Sequence, residues 1–329
     1  MNVCHICLKE ISGEQKYPGY HNPCVISLFG NIHVSPFLDF DKALFKAEIS
    51  QKYTKGMSIS GVQKKLSMKI EANKLVPTSK DGKFILKPTV EDFPEISANE
   101  HLTMRLGEIF GIETPACGLI QFQGGELAYI VRRFDWTPDE TKRILKEDMA
   151  QIFQLQRDKE ETYKYSKSYE EVGLKILEIT GSKLVNVLDY FTRVVFCFLT
   201  ANGDYHLKNI SVQNKSFNRD GVFDSLTPNY DALMTFLYFP SEEDLALDLL
   251  RNDEFSPEFK QNGFFTRADF NLLATRISLP PSGAVLVFNE MKKKLPQAFE
   301  LIKRGFLSDK MKEKYQLHFT QRAKKLELI

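Results

Sequence analysis

One stretch limits what this chain can fold into more than any other: Asn202-Gly203-Asp204-Tyr205-His206-Leu207-Lys208-Asn209-Ile210. An acid, a carboxamide five residues later, an apolar strand and then a second acid, Asp231, are the groups that phosphoryl transfer asks for, in a workable order. One carboxylate orients and deprotonates the attacking hydroxyl, a role that falls to Asp204. Asn209 and Asp231 are then the candidates to hold Mg2+, whose octahedral preference and retained waters suit one or two protein oxygens plus phosphate oxygens. A catalytic loop needs a rigid element to deliver it. Leu184, Leu188, Phe191, Val194 or Val195 and Phe198 recur at helical spacing, so a long helix with a buried face is predicted to run into the loop, capped at its start by Ser182. His206 reads either as a hydrogen-bonding brace or as a phosphate contact. Lys208 reads as a phosphate contact or a solvent-facing charge, and Tyr205 and Tyr230 as packing.

Upstream, Gly56-Met57-Ser58-Ile59-Ser60-Gly61-Val62-Gln63-Lys64 offers glycines and small hydroxyl residues whose backbone N–H groups can cradle phosphate. It is not a Walker A loop, because Val62-Gln63 stands where Lys-Ser/Thr is needed; a polar hairpin is the other reading. Leu66 to Ile70 alternates at period two, Asn73 supplies a turn, and Phe84-Ile85-Leu86 is a buried strand closed by Pro88. Lys87 on that strand is placed to meet a phosphate. Ser97-Ala98-Asn99-Glu100 opens a helix running to Gly111, in which Glu100 either pairs with Lys87 or completes a capping box with Ser97. Ala116–Gln123 and Leu127–Phe134 read as a hairpin around Gly124-Gly125. Ser168-Tyr169-Glu170-Glu171 is a second capping box, and Thr266 and Ser308 look like N-caps of helices in the tail, where Pro280-Pro281 separates two segments.

Taken together, Asn-Gly-Asp-Tyr-His-Leu-Lys-Asn, Ser58-Ile59-Ser60-Gly61-Val62-Gln63-Lys64-Lys65, Phe84-Ile85-Leu86-Lys87-Pro88, Asn99-Glu100-His101, Arg133-Phe134-Asp135, Glu147-Asp148-Met149 and Pro228-Asn229-Tyr230-Asp231-Ala232-Leu233 resemble the HipA-like toxin kinases, in that family's order. The short HipT form is the nearest likeness. The resemblance implies an α+β, bilobal, protein-kinase-like fold with a small β-rich lobe and a larger helical lobe. It implies ATP and Mg2+ as cofactors, with Ser58, Ile59, Ser60, Gly61, Gln63, Lys87, Glu100 and His206 at the nucleotide and Phe134 as adenine wall or core packing. It further implies autophosphorylation on Ser58 or Ser60, where added charge beside a bound triphosphate disturbs nucleotide binding. The activity implied is that of a Ser/Thr protein kinase, the toxin of a toxin–antitoxin system, which phosphorylates an aminoacyl-tRNA synthetase and is held by antitoxins of the HipB or HipS type. Where longer members carry Glu before the Arg-Phe pair, this chain has Arg132. Gly-Asp-x-His-x-x-Asn also resembles the loop of phosphoinositide kinases, so a lipid or small-molecule acceptor is the alternative, and a non-catalytic kinase-shaped binding module is a third.

Cys4-His5-Ile6-Cys7, thirteen residues, then His21-Asn22-Pro23-Cys24 can close a Cys3His tetrahedron around structural Zn2+, or be a metal-free knuckle with buried thiols. The expected division is a Cys/His cap over 1–33, a small lobe over 34–135 and a helical lobe over 136–329. Between Gly30 and Ile49 only connection and one short helix are expected. A net charge of +1 argues against whole-chain binding to DNA. From Met291 onward, though, eleven Lys/Arg face four Asp/Glu, a solvated face or a dock for an acidic partner. Met1-Asn2-Val3-Cys4-His5 has no apolar signal core and no run approaches the ~20 apolar residues of a membrane span, so a cytoplasmic protein with no membrane contact is expected. Cys117 and Cys197 sit in apolar patterns as core positions, and no disulfides are expected.

Overall fold

The computed structural model describes residues 2–45, 65–217 and 223–329. They divide into two compact units, the first made of 1–105, 115–134 and 300–312, the second of 106–114, 135–299 and 313–329. The whole glycine and serine loop, 56–64, lies outside the described residues.

The first unit opens on α1 (Asn22–Phe29), a helix the sequence reading did not anticipate. Its signals were present: Pro23 in the first turn and Gly30, left-handed at φ 80°, just past the end. The single turn α2 (Lys42–Leu44) follows, its Asp41 side chain accepting from the Leu44 N–H. Then β1 (Leu66–Glu71) turns back into β2 (Lys74–Pro77). Ala72 and Asn73 both have positive φ, the backbone of a two-residue type I′ hairpin. The strand β3 (Phe84–Pro88), the helix α3 (Ile96–Ile109) and the hairpin β4 (Cys117–Gln121) with β5 (Leu127–Arg132) complete the unit's main elements. The sheet is antiparallel in the order β2-β1-β3-β5-β4. One core joins it to the N-terminal segment, with Ile6, Tyr20, Val25 and Leu28 packed together with Leu66, Met68, Leu86 and Ile130.

In the second unit a three-stranded sheet is built from β6 (Leu145–Asp148), β7 (Ser211–Asn214) and β8 (Ser225–Leu226), with β7 central. Helices α4 (Met149–Ile152), α5 (Tyr169–Ile179) and α6 (Leu184–Leu199) lie between β6 and β7 in the chain. The tail supplies α7 (Pro257–Asn262), α8 (Arg267–Arg276), α9 (Pro281–Arg304) and α10 (Asp309–Lys325), the last two each contributing a few residues to the first unit. The capping boxes at Ser168/Glu171 and Thr266/Asp269 are formed.

Ser182 does not cap α6. The N-cap is Lys183, without a side-chain hydrogen bond. The Ser182 N–H donates to the Leu177 carbonyl at 2.8 Å and that of Gly181 to Glu178 at 3.3 Å. This is a Schellman closure of α5, so the left-handed Ser182 belongs to the preceding helix. The first two residues of α6 are correspondingly outside the core, Leu184 being 44% exposed, while Phe191, Val194, Val195 and Phe198 are buried as their spacing requires. Cys117 and Cys197 are buried and all five cysteines are free. Among the described residues no helix is long and apolar enough to cross a membrane.

Candidate active site

The loop at the heart of the second unit grows out of the end of α6. The Asn202 N–H donates to the Cys197 carbonyl at 2.9 Å and the Ala201 N–H to Phe198 at 3.1 Å, a Schellman closure with Ala201 left-handed. The helix end therefore sets where Asp204 begins. From there the loop is fixed at each step. Asn202 Oδ1 accepts from the Asp204 N–H at 3.1 Å, and Thr235 Oγ1 accepts from the Gly203 N–H at 2.7 Å. Tyr169 Oη donates to the Tyr205 carbonyl at 2.9 Å, and Tyr190 Oη to the Tyr169 carbonyl at 2.9 Å. All three tyrosines are fully or nearly fully buried.

Asn209 Nδ2 donates to the Asp204 carbonyl at 2.7 Å and lies 3.4 Å from Asp204 Oδ2. The carboxamide is thus turned with its nitrogen on the loop, which spares its oxygen for a hard cation. The Asp204 side chain stays 45% exposed, accessible to a substrate hydroxyl. His206 Nε2 is 3.4 Å from Asp204 Oδ1, and its ring is 7% exposed. Burial lowers its pKa, and the Asp204 charge only partly offsets this. The ring is thus buried beside the carboxylate of the loop. Lys208 is 3.9 Å from Glu161.

Asp231 sits at φ 54°, a left-handed position that Asp tolerates better than most side chains. It follows Tyr230, which does more than pack: its Oη donates to the Lys208 carbonyl at 2.8 Å and lies 2.6 Å from Ser211 Oγ. One phenol therefore ties the segment bearing Asp231 to the loop bearing Asn209. Glu242 is a neighbour that sequence reading missed. A Cβ on Gly203 would lie 2.7 Å from its carboxyl carbon, and Thr235 Oγ1 hydrogen-bonds the same carboxylate. Burial, with the Asp204 charge adding to it, pushes Glu242 up to about 7. No local pattern marks Glu242, Thr235 or Tyr169 as partners of the loop, because each arrives from a separate element.

In the first unit Lys87 and Glu100 form an ion pair, 4% and 2% exposed. Ser97 Oγ donates to the Lys87 carbonyl at 2.8 Å, and the Lys87 ammonium lies 5.5 Å from the centre of the Tyr129 ring. The capping-box alternative for Glu100 falls because α3 already begins at Ile96, which puts Ser97 inside the helix. Phe134 follows β5 and is half-buried. Ser58, Ile59, Ser60, Gly61 and Gln63 lie outside the described residues.

The N-terminal segment brings Cys4, Cys7, His21 and Cys24 together, with one ligand-type atom from each within 4.8 Å of the others. Hydrogen bonding from the Cys24 and Cys7 thiols holds the Cys4 thiol well below its ordinary range.

The model of the HipA-like C-terminal domain matches residues 57–299. A Haemophilus influenzae protein described as a putative kinase is 33% identical over 224 residues, covering 64% of this chain and 63% of that protein. A Sinorhizobium fredii putative kinase, Y4dM, is 32% identical over 59% of this chain and 49% of its own length. The match thus spans about half to under two thirds of these relatives. Among solved structures, the Shewanella oneidensis HipA toxin, in complex with HipB and its operator DNA, superposes with a TM-score of 0.57 at 21% identity, covering 81% of this chain and 63% of that one. The Helicobacter pylori proinflammatory kinase CtkA gives 0.50 at 14%, covering 79% and 87%. Both share the fold. With the loop at 202–210, Asp231 and the buried Lys87–Glu100 pair all inside the matched region, the chain belongs to the HipA-like C-terminal domain family.

Proposed function

We propose that this protein is an ATP-dependent Ser/Thr protein kinase and the toxin of a toxin–antitoxin system. The observation that carries the reading is the Asp204–Asn209 arrangement: a half-exposed carboxylate backed by a buried imidazole, with the Asn209 amide nitrogen hydrogen-bonded to the loop. Asp204 orients the acceptor hydroxyl and takes its proton. His206 keeps the Asp204 carboxylate from turning away. Asn209 and Asp231 supply hard oxygen donors that fit Mg2+, which when bound neutralises phosphate charge. Lys87, held by Glu100, meets phosphate oxygens of the nucleotide. Phe134 is the wall for adenine.

The acceptor we infer is a protein hydroxyl, on an aminoacyl-tRNA synthetase in trans and on Ser58 or Ser60 in cis. The partner that restrains the kinase is an antitoxin protein of the HipB or HipS type. The family assignment supports this, and the Shewanella HipA structure, a complex with HipB, is a parallel.

The test is phosphate counting by intact-mass and peptide mass spectrometry after incubating the wild type and Asp204→Ala with Mg2+ and ATP. Phosphate on Ser58 or Ser60 in the wild type alone is expected, with removal of Asp204 costing about 10²–10⁴ in rate. ATP bound but no phosphate on either protein would move the acceptor to a lipid or small molecule. No ATP binding would leave a non-catalytic binding module.

A further inference from the structure

The N-terminal segment does more than fill space on the sheet. Cys4 and Cys7 flank a tight turn closed by the Cys4 N–H on the Lys9 carbonyl at 2.9 Å and the Leu8 N–H on the Cys4 carbonyl at 3.0 Å. Two further N–H groups, from Ile6 and His21, are aimed at Cys4 Sγ at 3.5 and 3.4 Å, the arrangement that stabilises a thiolate ligand. His21 and Cys24 come from the start of α1. The His21 Nδ1 atom is 3.3 Å from Cys7 Sγ and 3.9 Å from Cys24 Sγ. Its other nitrogen, Nε2, lies 3.1 Å from the Glu10 carbonyl, which can only accept, so Nε2 is the donor there and Nδ1 is the nitrogen turned toward the sulfurs. Three sulfurs and one imidazole nitrogen converging in this way match tetrahedral Zn2+, with bonds of about 2.3 Å to sulfur and about 2.0–2.1 Å to nitrogen. His5, inside the same turn, is not a fifth ligand. Its ring is stacked between Tyr20 and Phe306, and its Nδ1 is on the Gly19 carbonyl.

The turn is also the point where the segment grips the rest of the unit. The Ile6 carbonyl, between the two cysteines, accepts from His101 Nε2 at 2.9 Å. His101 is 1% exposed, and burial pushes it down to about 3, so the ring is neutral and donates from that nitrogen. It is the neighbour of Glu100 on α3. On the other side, the His5 carbonyl accepts from the Leu119 N–H at 2.9 Å, and a Cβ on Gly118 would come within 2.8 Å of the Ile6 side chain. The turn thereby covers the Leu119 part of β4, the strand at the end of the sheet order, while Phe37 bridges the same strand at Gln121.

We propose that Cys4, Cys7, His21 and Cys24 hold one structural Zn2+ ion, and that the loaded turn latches α3, and with it Glu100, through the hydrogen bond from His101 to the Ile6 carbonyl. Four protein ligands close the site, so the metal does no chemistry. Its work is mechanical: four side chains from two stretches are tied together at the point where the turn meets α3 and β4. The four ligands are separate from the phosphoryl-transfer residues, and metal binding is measured without turnover.

The full-length protein is purified without chelator and its metal content measured, then stripped and titrated with Zn2+ and Co2+. One zinc per chain is expected, together with the thiolate charge-transfer and tetrahedral d–d bands of the cobalt form. Cys24→Ser should weaken Zn2+ binding by more than about 100-fold, beyond the ~10–100-fold lost with an outer-shell partner. Substoichiometric zinc and no cobalt bands in protein of native far-UV circular dichroism would overturn the site. Hydrogen exchange then tests the latch: stripping should speed exchange across 96–109 by about tenfold or more, a local opening that reloading reverses. Zinc bound and removed with exchange in α3 unchanged would overturn the latch.

Discussion

At the scale of single residues, the loop is governed by groups whose charge depends on their surroundings. Glu242 is the clearest case. Buried beside Gly203 and in the field of Asp204, it holds its proton up to about 7 in the folded chain, against an ordinary 4.5. The raised value fixes the sign. Below the unfolded value both states are protonated and nothing is lost; as pH rises toward 7 the unfolded chain ionises first, and folded stability falls. Above 7 the full penalty is present. Glu242→Gln removes it while keeping the side chain's shape. Unfolding in urea at pH about 5 should find the variant and the wild type nearly equal, and at pH about 8 the variant more stable. The gain should be about 1–2 kcal/mol once solvent screening of a partly exposed carboxylate is allowed for. The same offset at both pH values would mean that Glu242 is ionised throughout. Asp204 and Asn209 could be read from their spacing, because both lie on one loop. Glu242 could not, since the contact that gives it meaning is with a glycine, which leaves no side-chain pattern to match.

At the scale of elements, periodicity and caps were legible where a signal stays within one segment. The alternation in β1, the Asn73 turn, the β4–β5 hairpin and the apolar face of α6 all follow from local rules. The missed α1 did carry local signals, whereas the start of α6 did not. At Ser182 a serine before an apolar run looked like a helix start, whereas its backbone finishes the helix before it. Side-chain identity cannot tell the two apart, because the choice depends on which carbonyl the N–H finds. Two serines test the distinction. Ser168 Oγ accepts from the Glu171 N–H at 3.2 Å at the start of α5, the helix whose Tyr169 holds the Tyr205 carbonyl. Ser168→Ala should cost about 0.5–2 kcal/mol, as the loss of an N-cap does. Ser182→Ala should stay within about 0.5 kcal/mol. Chemical denaturation of the pair settles it, and equal losses would restore Ser182 as a cap.

At the scale of the whole molecule, net charge conceals how the basic residues are used. The surplus of Lys and Arg after Met291 looked in sequence like one solvated face or one docking surface. The fold of the second unit separates it into two populations. Arg322 is 6% exposed, ion-paired with Asp244 and stacked 4.5 Å from the centre of the Phe198 ring, so it belongs to the packing around α6. Lys325 is 3.7 Å from the same aspartate and 4.6 Å from the centre of the Phe264 ring. Lys314 and Lys324 are exposed on α10. Composition treats the four alike, because burial of a cation is decided by a distant acid and ring. Removing one side of a buried pair leaves the other uncompensated, which costs about 3–5 kcal/mol when both are deep, and less here because Asp244 keeps 28% of its side-chain surface. Arg322→Ala should therefore lower unfolding free energy by about 2–3 kcal/mol, lost stem packing included. Lys314→Ala should change it by under about 0.5 kcal/mol. Equilibrium unfolding of both variants distinguishes a helix that is part of the second unit's core from one whose basic residues serve only an outside partner, for which the two losses would be alike and small.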